Sequence, residues 1–344
     1  MPEAVIAAAC QRVMESGRVS RDLSVVWHAG EPMVLPVAYY EMAMATIAGR
    51  LPRETRIEHH FQTNATLVTA DWCRFFATPG VRVGVSIDGP KHLHDRCRRT
   101  RSGAGTFTRV IDGVRQLQAA GISFHAISVL TRASLECPDE MYEFYAANGI
   151  ANVCFNIEEI EGENLVSSLA LPGSEHLYRR FFQRFLQRVS AADDIKSVRE
   201  FDAAFGRILR PDSADNGNQQ AEPFRILSVA LNGDFSTFSP ELLDATHPRW
   251  PSFVIGNVLR DSLDEAAARP LLQALHEEIA RGLAHCRDTC EHFELCGGGA
   301  PANKLFETGR FDVAETMYCR LSIKVLADVA LAEIERGEPG YPES

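Results

Sequence analysis

The chain has 344 residues, 45% of them hydrophobic, with 35 Lys and Arg against 46 Asp and Glu for a formal net charge of −11; this globular composition excludes wholesale disorder and suffices for one large α/β domain with an appendage, or for two domains. The acidic balance argues against a broad nucleic-acid footprint, which needs surplus basic groups to meet phosphates, and the dense basic run "HDRCRRTRSG" (94–103) reads as a solvated loop. No stretch approaches the ~20 apolar residues of a membrane span, and the start, "MPEAVIAAACQRVMESG", lacks the basic region of a signal peptide, so the expectation is a cytoplasmic protein without membrane or nucleic-acid partners.

In chain order, Val5, Ile6, Ala9, Val13 and Met14 fall on one helical face and predict an opening amphipathic helix. From residue 23 to about 158, β-type runs alternate with helical patterns. "LSVVWHAG" (23–30), "IEHHFQTN" (57–64), "VRVGVSIDG" (81–89), "SFHAISVLT" (123–131) and "ANVCFNIEE" (151–159) read as strands. Between them lie "PVAYYEMAMATIAGR", "ADWCRFFATPG", "TFTRVIDGVRQLQAAG" and "CPDEMYEFYAANG", helical runs with Gly or "LPRE" as stops. Repeated β-then-α units imply a parallel sheet with right-handed crossovers. After residue 160, "EGENLVSSLALPGSE" reads as a linker, "HLYRRFFQRFLQRVSAA" as an amphipathic helix, and "RPDSADNGNQQAEP" (210–223) as a mobile polar loop. "FRILSVALNGDFSTF" (224–238) predicts a hairpin around Asn232-Gly233. "SLDEAAARPLLQALHEEIARGLAHC", with Pro270 interrupting it, and "AETMYCRLSIKVLADVALAEIERG" are helical.

In a parallel α/β sheet, ligands gather at the C-terminal ends of the strands. Those ends read "HAGEP" (28–32), "QTNAT" (62–66), "SIDGP" (86–90), "LTRAS" (130–134) and "NIEEIEG" (156–162). Singly each is a turn, but a turn alone does not call for Glu, Asn, Ser and Asp on one rim. The other conspicuous feature is the gathering of four of nine cysteines near the C-terminus, Cys286, Cys290, Cys296 and Cys319, spaced x3, x5 and x22. In a reducing compartment such a set points to metal or redox chemistry. The count permits a zinc ion or a [4Fe–4S] cluster equally. Cys10, Cys73, Cys97, Cys137 and Cys154 stand alone and read as packing residues.

Taken in order, the strand ends resemble those of radical S-adenosylmethionine (radical SAM) enzymes, in the peptide-modifying branch that carries a SPASM-type iron–sulfur domain. "HAGEP" is similar to the family's Gly-Gly-Glu-Pro, with Ala29 in place of the first Gly. The resemblance implies that the backbone around Gly30 and the Glu31 carboxylate hold the methionyl amino group, and that Thr63 and Asn64 approach the cofactor. It further implies that Ser86 and Arg98 of "SIDGP…HDRCR" hold the cofactor carboxylate, and that Asp88 of the same segment is a cofactor-binding residue. "CGGGAPANKLFETGRF…ETMYCR" resembles the cluster segment of maturases acting on ribosomally made peptides, including those that cross-link aromatic side chains. This selects an auxiliary [4Fe–4S] cluster on Cys286, Cys290, Cys296 and Cys319, with Gly297-Gly298-Gly299 allowing close packing.

The implied fold class is α/β: a partial (β/α)6 TIM-like barrel missing its first strand, over 1–165, a helical linker region over 166–223, and a small α+β SPASM-like domain over 224–344. The implied activity is oxidative modification, such as side-chain cross-linking, of a precursor peptide through a 5′-deoxyadenosyl radical. Such an activity leaves room for a separate leader-binding protein and an electron donor as partners. Glu241 in "FSPELL" or Asp234 is the acid that related enzymes place in the hairpin region, and His59, His60 and Trp27 are candidates for a pocket lining or for packing.

The family's Cys-x3-Cys-x2-Cys loop, which binds a second [4Fe–4S] cluster and with it S-adenosylmethionine, does not occur in residues 1–344. The expectation is that the first strand and that loop lie upstream of Met1. The alternatives are a loop supplied by another polypeptide, or a non-catalytic peptide-binding subunit unable to cleave S-adenosylmethionine alone. A zinc-stabilised α/β protein of other function is the remaining class.

Overall fold

The structure of the protein, a computed structural model, describes residues 1–27, 30–210 and 218–337. His28 and Ala29 of the first strand end, and 211–217 of the polar loop, lie outside the described residues. The predicted alternation folds into a parallel sheet of β1 (Asp22–Trp27), β2 (Arg56–Thr63), β3 (Val81–Ser86), β4 (Phe124–Leu130), β5 (Asn152–Ile157) and β6 (Ser197–Val198), lying side by side in sequence order. Strand order without reversal is the order of a barrel rather than of a doubly wound sheet, so the fold is α/β and consistent with a partial TIM-like barrel. The crossovers carry the helices Val37–Ala48, Ala70–Phe76, Phe107–Ala119, Pro138–Ala147 and Ser174–Ala191. One strand was not expected: β6 lies inside the segment read as a helical linker, and two residues are too few for a period-2 pattern to register.

Alternation sorts the strand side chains. Phe61, Val83, Val85, Ala126, Val153 and Phe155 are buried against the helices, and Phe155 is ringed by Phe181, Phe182 and Phe185 with centroids 5.1 to 5.7 Å away. Those three phenylalanines, with Tyr178, Leu186 and Val189, form the buried stripe that the sequence of the helix Ser174–Ala191 repeats every three or four residues. The opposite face of the sheet is left to Val26, His60, Gln62, Ser86 and Asn156, and Val26 is 57% exposed there.

The C-terminal region builds a second core. The hairpin forms as predicted, β7 (Leu227–Val229) against β8 (Asp234–Thr237), and β9 (Gly256–Asn257) adds to it. Pro270 does interrupt the predicted helix, opening Pro270–Thr289 after the short Leu263–Ala267. Phe235, Phe253, Leu272, Leu275, Ile279 and Phe311 fill the space between.

The two cores exchange elements. From the C-terminal helix, Leu321, Val325, Leu326 and Val329 enter the barrel's core, and Asp328 pairs with Arg179 at 2.8 Å. From the N-terminal helix Glu3–Glu15, Val5 enters the second core while Ile6 packs on Ala43, Ile47 and Leu51. Among the described residues, no helix is long and apolar enough to cross a membrane. Within the second core, a Cβ on Gly282 would lie 2.1 Å from the Phe311 carbonyl oxygen, and a backbone atom has little freedom to yield. Gly282→Ala is expected to cost about 1–3 kcal/mol as overpacking, read as a lower midpoint in urea unfolding with unchanged m-value.

Candidate functional site: a polar strand rim facing a four-cysteine cradle

Glu31 stitches the first two strand ends together. One carboxylate oxygen accepts from Met33 N–H (3.0 Å) and the Thr63 hydroxyl (2.7 Å), and the other from Asn64 N–H (2.7 Å). A carboxylate offers about four acceptor positions, and among the described residues three donors to Glu31 are recorded. Gly30, just before it, sits at φ +71°, where a side chain would be strained. Asn64 turns its amide oxygen inward to Thr66 N–H (3.0 Å) and the Thr66 hydroxyl (2.7 Å), shaping the loop. Ala65 then takes φ +55°, packed so closely on Gly113 that a Cβ there would come 2.1 Å from the Ala65 carbonyl oxygen.

At the end of β3, Ser86 and Asp88 are both buried. Asp88 accepts from Arg98 Nε (2.6 Å) and Nη2 (3.0 Å) and from Val129 N–H (3.0 Å). A relay fixes the other end of the same arginine: Asp88 N–H donates to His94 Nδ1 (3.3 Å), His94 Nε2 meets the Thr106 hydroxyl (3.0 Å), and that hydroxyl donates to the Arg98 carbonyl (3.1 Å). Burial lowers the His94 pKa, keeping the neutral imidazole that such a relay needs. Asp88, expected beside the cofactor, is thus committed to orienting Arg98. The side chain of Arg98 is 28% exposed, and among the described residues its Nη1 has no hydrogen-bond partner.

The end of β5 carries carboxylates to which the sequence pattern assigns no role. Glu159 accepts from Asn303 Nδ2 at 2.6 Å, linking the rim to the helix Pro301–Thr308. Burial first, and the carboxylates Glu241 and Glu307 after it, raise its pKa. Burial, then Glu159 and Glu241, push Glu161 up to about 7. Glu241 therefore joins the rim, where it also accepts from the Ser239 hydroxyl. Asp234 does not: Asn232 Nδ2 and Asn257 Nδ2, each at 2.8 Å, hold it in the hairpin turn. Trp27 and His59 stack on the helix side of the sheet at 6.0 Å, and burial lowers the His59 pKa to about 4; both are packing residues. His60 takes the open face, 3.6 Å from Glu58.

A cavity of about 290 Å³ lies against the end of β5, walled by Asn156, Arg199 and Arg207 on one side and by Leu295, Tyr318 and Ile323 on the other. Arg199 donates to Asn156 Oδ1 (2.7 Å) and the Phe155 carbonyl (2.8 Å) and pairs with the buried Glu200. Asn156 is in register with Val129, the residue that donates to Asp88, so the cavity continues the rim. Its far wall is formed by the residues immediately preceding Cys296 and Cys319.

The four clustered cysteines do converge. Cys286, in the last turn of Pro270–Thr289, Cys290 at its end, Cys296 and Cys319 line one small cavity with Gly298, Gly299 and Lys304. Among the described residues, no three His, Cys, Asp or Glu side chains come together as a ligand set for a single metal ion. N–H donors are already aimed at three of the sulfurs: Gly298 N–H to Cys296 (3.4 Å), Thr316 N–H to Cys319 (3.3 Å) and Lys304 Nζ to Cys286 (3.3 Å). Such donors suit sulfur ligands carrying charge, as in iron–sulfur sites. Gly297, Gly298 and Gly299 all have positive φ (64°, 98° and 73°), a run only glycine sustains, and Asn218 Nδ2 fixes it through the Gly299 carbonyl at 2.6 Å. Burial raises the pKa of Cys296 and of Cys319.

A family model described as the radical SAM superfamily matches residues 4–145. The chain is 37% identical over 339 residues to an uncharacterized Synechocystis protein, sll1766, spanning 97% of this chain and 85% of that one. It is 36% identical over 315 residues to a serine-type anaerobic sulfatase-maturating enzyme of Bacteroides thetaiotaomicron, 86% of this chain and 72% of that one. A solved structure of anSMEcpe with bound AdoMet superposes with a TM-score of 0.75 at 21% identity, over 98% of this chain and 86% of that one. Streptococcus suis SuiB bound to precursor peptide SuiA gives 0.58 at 15%, over 92% and 69%; at these identities the structural likeness speaks for the fold alone. With a polar strand rim, a cysteine cradle opposite it, and relatives along nearly its whole length, the chain belongs to the radical SAM superfamily as a radical SAM enzyme of the maturase family that includes the anaerobic sulfatase-maturating enzymes.

Proposed function

We propose that the protein oxidatively modifies a ribosomally made precursor peptide, with S-adenosylmethionine seated on the rim of β1 to β3 and one auxiliary [4Fe–4S] cluster in the four-cysteine cradle. The observation that carries this reading is the cavity at the end of β5, whose two walls are the strand rim and the residues adjoining Cys296 and Cys319. A substrate side chain held there lies between the two. The rim fits the amino-acid end of S-adenosylmethionine: the open acceptor on Glu31 suits the ammonium group, and the free edge of Arg98 with the Ser86 hydroxyl suits the carboxylate. When bound, S-adenosylmethionine would supply hydrogen-atom removal from an unactivated carbon only together with a reduced second [4Fe–4S] cluster on a Cys-x3-Cys-x2-Cys loop, which residues 1–344 do not contain, and the auxiliary cluster would supply a sink for the electron left behind.

The chain's own residues bind, orient and move protons. Asp88 holds Arg98 toward the carboxylate. Arg199 and Asn156 close the floor of the cavity. Glu161, with a pKa near neutrality, and Glu241 beside it are the candidates to take the proton that leaves with the oxidation. Of the products open to such an oxidation, a side-chain cross-link is the one the cluster segment's resemblance favours. The 36% identity to a serine-type anaerobic sulfatase-maturating enzyme favours a second product, oxidation of a single serine side chain.

Three measurements test this. Anaerobically purified protein should contain iron and acid-labile sulfide, both lost in Cys296→Ala; zinc without sulfide would remove the cluster. Asp88→Asn should weaken S-adenosylmethionine binding by about tenfold or more in equilibrium dialysis, the equivalent of ~1.4 kcal/mol, while the unfolding midpoint moves little; unchanged affinity would place the cofactor elsewhere. Folding holds the Glu161 proton more tightly than the unfolded chain does, so its contribution to stability is present below pH 4.5 and is lost as pH rises through about 7. The fall in thermal midpoint across that interval should therefore be smaller in Glu161→Gln than in wild type, and equal slopes would show Glu161 titrating as an ordinary surface carboxyl.

A further inference from the structure

Lys304, on the helix Pro301–Thr308, is only 2% exposed. Its ammonium meets two groups, the Gly282 carbonyl at 3.2 Å and Cys286 Sγ at 3.3 Å, and among the described residues it forms no ion pair. Lysine is almost never buried without a partner anion, because removing an ammonium from water costs several kcal/mol unless opposite charge compensates it. A carbonyl and a neutral thiol do not compensate it. A Cys286 thiolate does, and so does an iron–sulfur core wrapped by four thiolates, which is anionic overall. The second lysine on the cradle, Lys324, is different: Glu315 already pairs with it at 2.5 Å, and its side chain is 30% exposed.

We propose that Lys304 is the counter-cation of the auxiliary cluster, donating to the Cys286 thiolate and holding the cluster's reduction potential above the value it would have without that charge. This rests on the cluster assignment made under Proposed function. One-electron reduction adds a negative charge to the core without removing any, and a fixed ammonium 3.3 Å from a ligand sulfur, shielded from solvent, stabilises the reduced form more than the oxidised one. The direct contact makes Lys304 a positioning residue for electron acceptance, acting through Cys286.

The test is a redox titration of the full chain, anaerobically reconstituted with iron and sulfide and followed by electron paramagnetic resonance, for wild type, Lys304→Gln, Lys304→Met and Lys324→Gln. Lys304→Gln keeps a donor for the Gly282 carbonyl but loses the charge, so a structural clamp would survive in it. Both Lys304 variants should titrate at a potential lower by about 59 mV or more, a tenfold change in a one-electron equilibrium, and Lys324→Gln should stay close to wild type. A Lys304→Gln protein with full iron and sulfide and an unmoved potential overturns the inference and leaves the cluster standing; zinc without sulfide in wild type overturns both. Should the Lys304 variants fail to retain a cluster, the cluster-free chains decide. With the thiols protonated the buried charge is uncompensated, so Lys304→Met should unfold at the same or a higher temperature than cluster-free wild type, and a lower one overturns the inference.

Discussion

The segment that begins at Cys319 holds this molecule together. Within two turns of that thiol, Leu321, Val325 and Leu326 are buried in the barrel's core against the helices Ser174–Ala191 and Arg199–Leu209. Each such side chain contributes on the order of 1.5–3 kcal/mol when fully withdrawn from water. A group wrapped by the four thiols is therefore fastened to the barrel by hydrophobic packing, and the cavity between rim and cradle has walls that belong to one packed body. The turn joining thiol to core, Arg320–Val325, is a π-helix, a geometry found mostly as short insertions in α-helices and often at functional sites. The N-terminal helix adds a reciprocal tie, with Arg12 Nε donating to the Val258 carbonyl at 3.0 Å.

Charge is distributed along the strand rim and the cradle with a consistent logic. On the rim, each ionised group is buried on one side and satisfied there, so that only one edge faces outward: Glu31 by three donors, Arg98 by Asp88. Near the end of β5 the opposite holds, because burial, with neighbouring carboxylate charge added to it, makes the ionisation of Glu159 and Glu161 unfavourable. The first arrangement would suit the zwitterionic end of the proposed S-adenosylmethionine. The second keeps a carboxyl near its pKa. At the cradle, N–H donors and one buried ammonium face the sulfurs, the pattern expected around ligands that carry negative charge.

The structure also shows what individual candidate residues touch. Asp88 and Asp234 are acids held by other side chains, one supporting an arginine and the other a hairpin turn. Trp27 and His59 lie on the helix side of the sheet because the period of two puts them in phase with Phe61. Gly84 shows the same face rule from the inside: a Cβ there would come 2.8 Å from His125 Nε2, so its lack of a side chain is what lets that imidazole lie across the strand.

Local chemistry was enough to determine the five longer strands, the helices Val37–Ala48, Ala70–Phe76, Phe107–Ala119 and Pro138–Ala147 between them, the Asn232-Gly233 hairpin, the break at Pro270 and the gathering of four cysteines, whereas the run at 94–103 that reads as a solvated loop begins inside the helix Lys91–Cys97 with His94 buried. Propensity, hydrophobic period and turn residues act over a few positions, and those are written in the chain. The sixth strand, two residues long, exists only because β5 offers it an edge to pair with. Glu161 and Lys304 were equally illegible, since an acid after a strand and a lysine in "PANKLFET" both read as solvated until distant segments cover them. What a side chain touches across the fold depends on contacts far apart in sequence, such as Gly282 with Phe311 or Asn303 with Glu159, and burial of that kind has no local imprint.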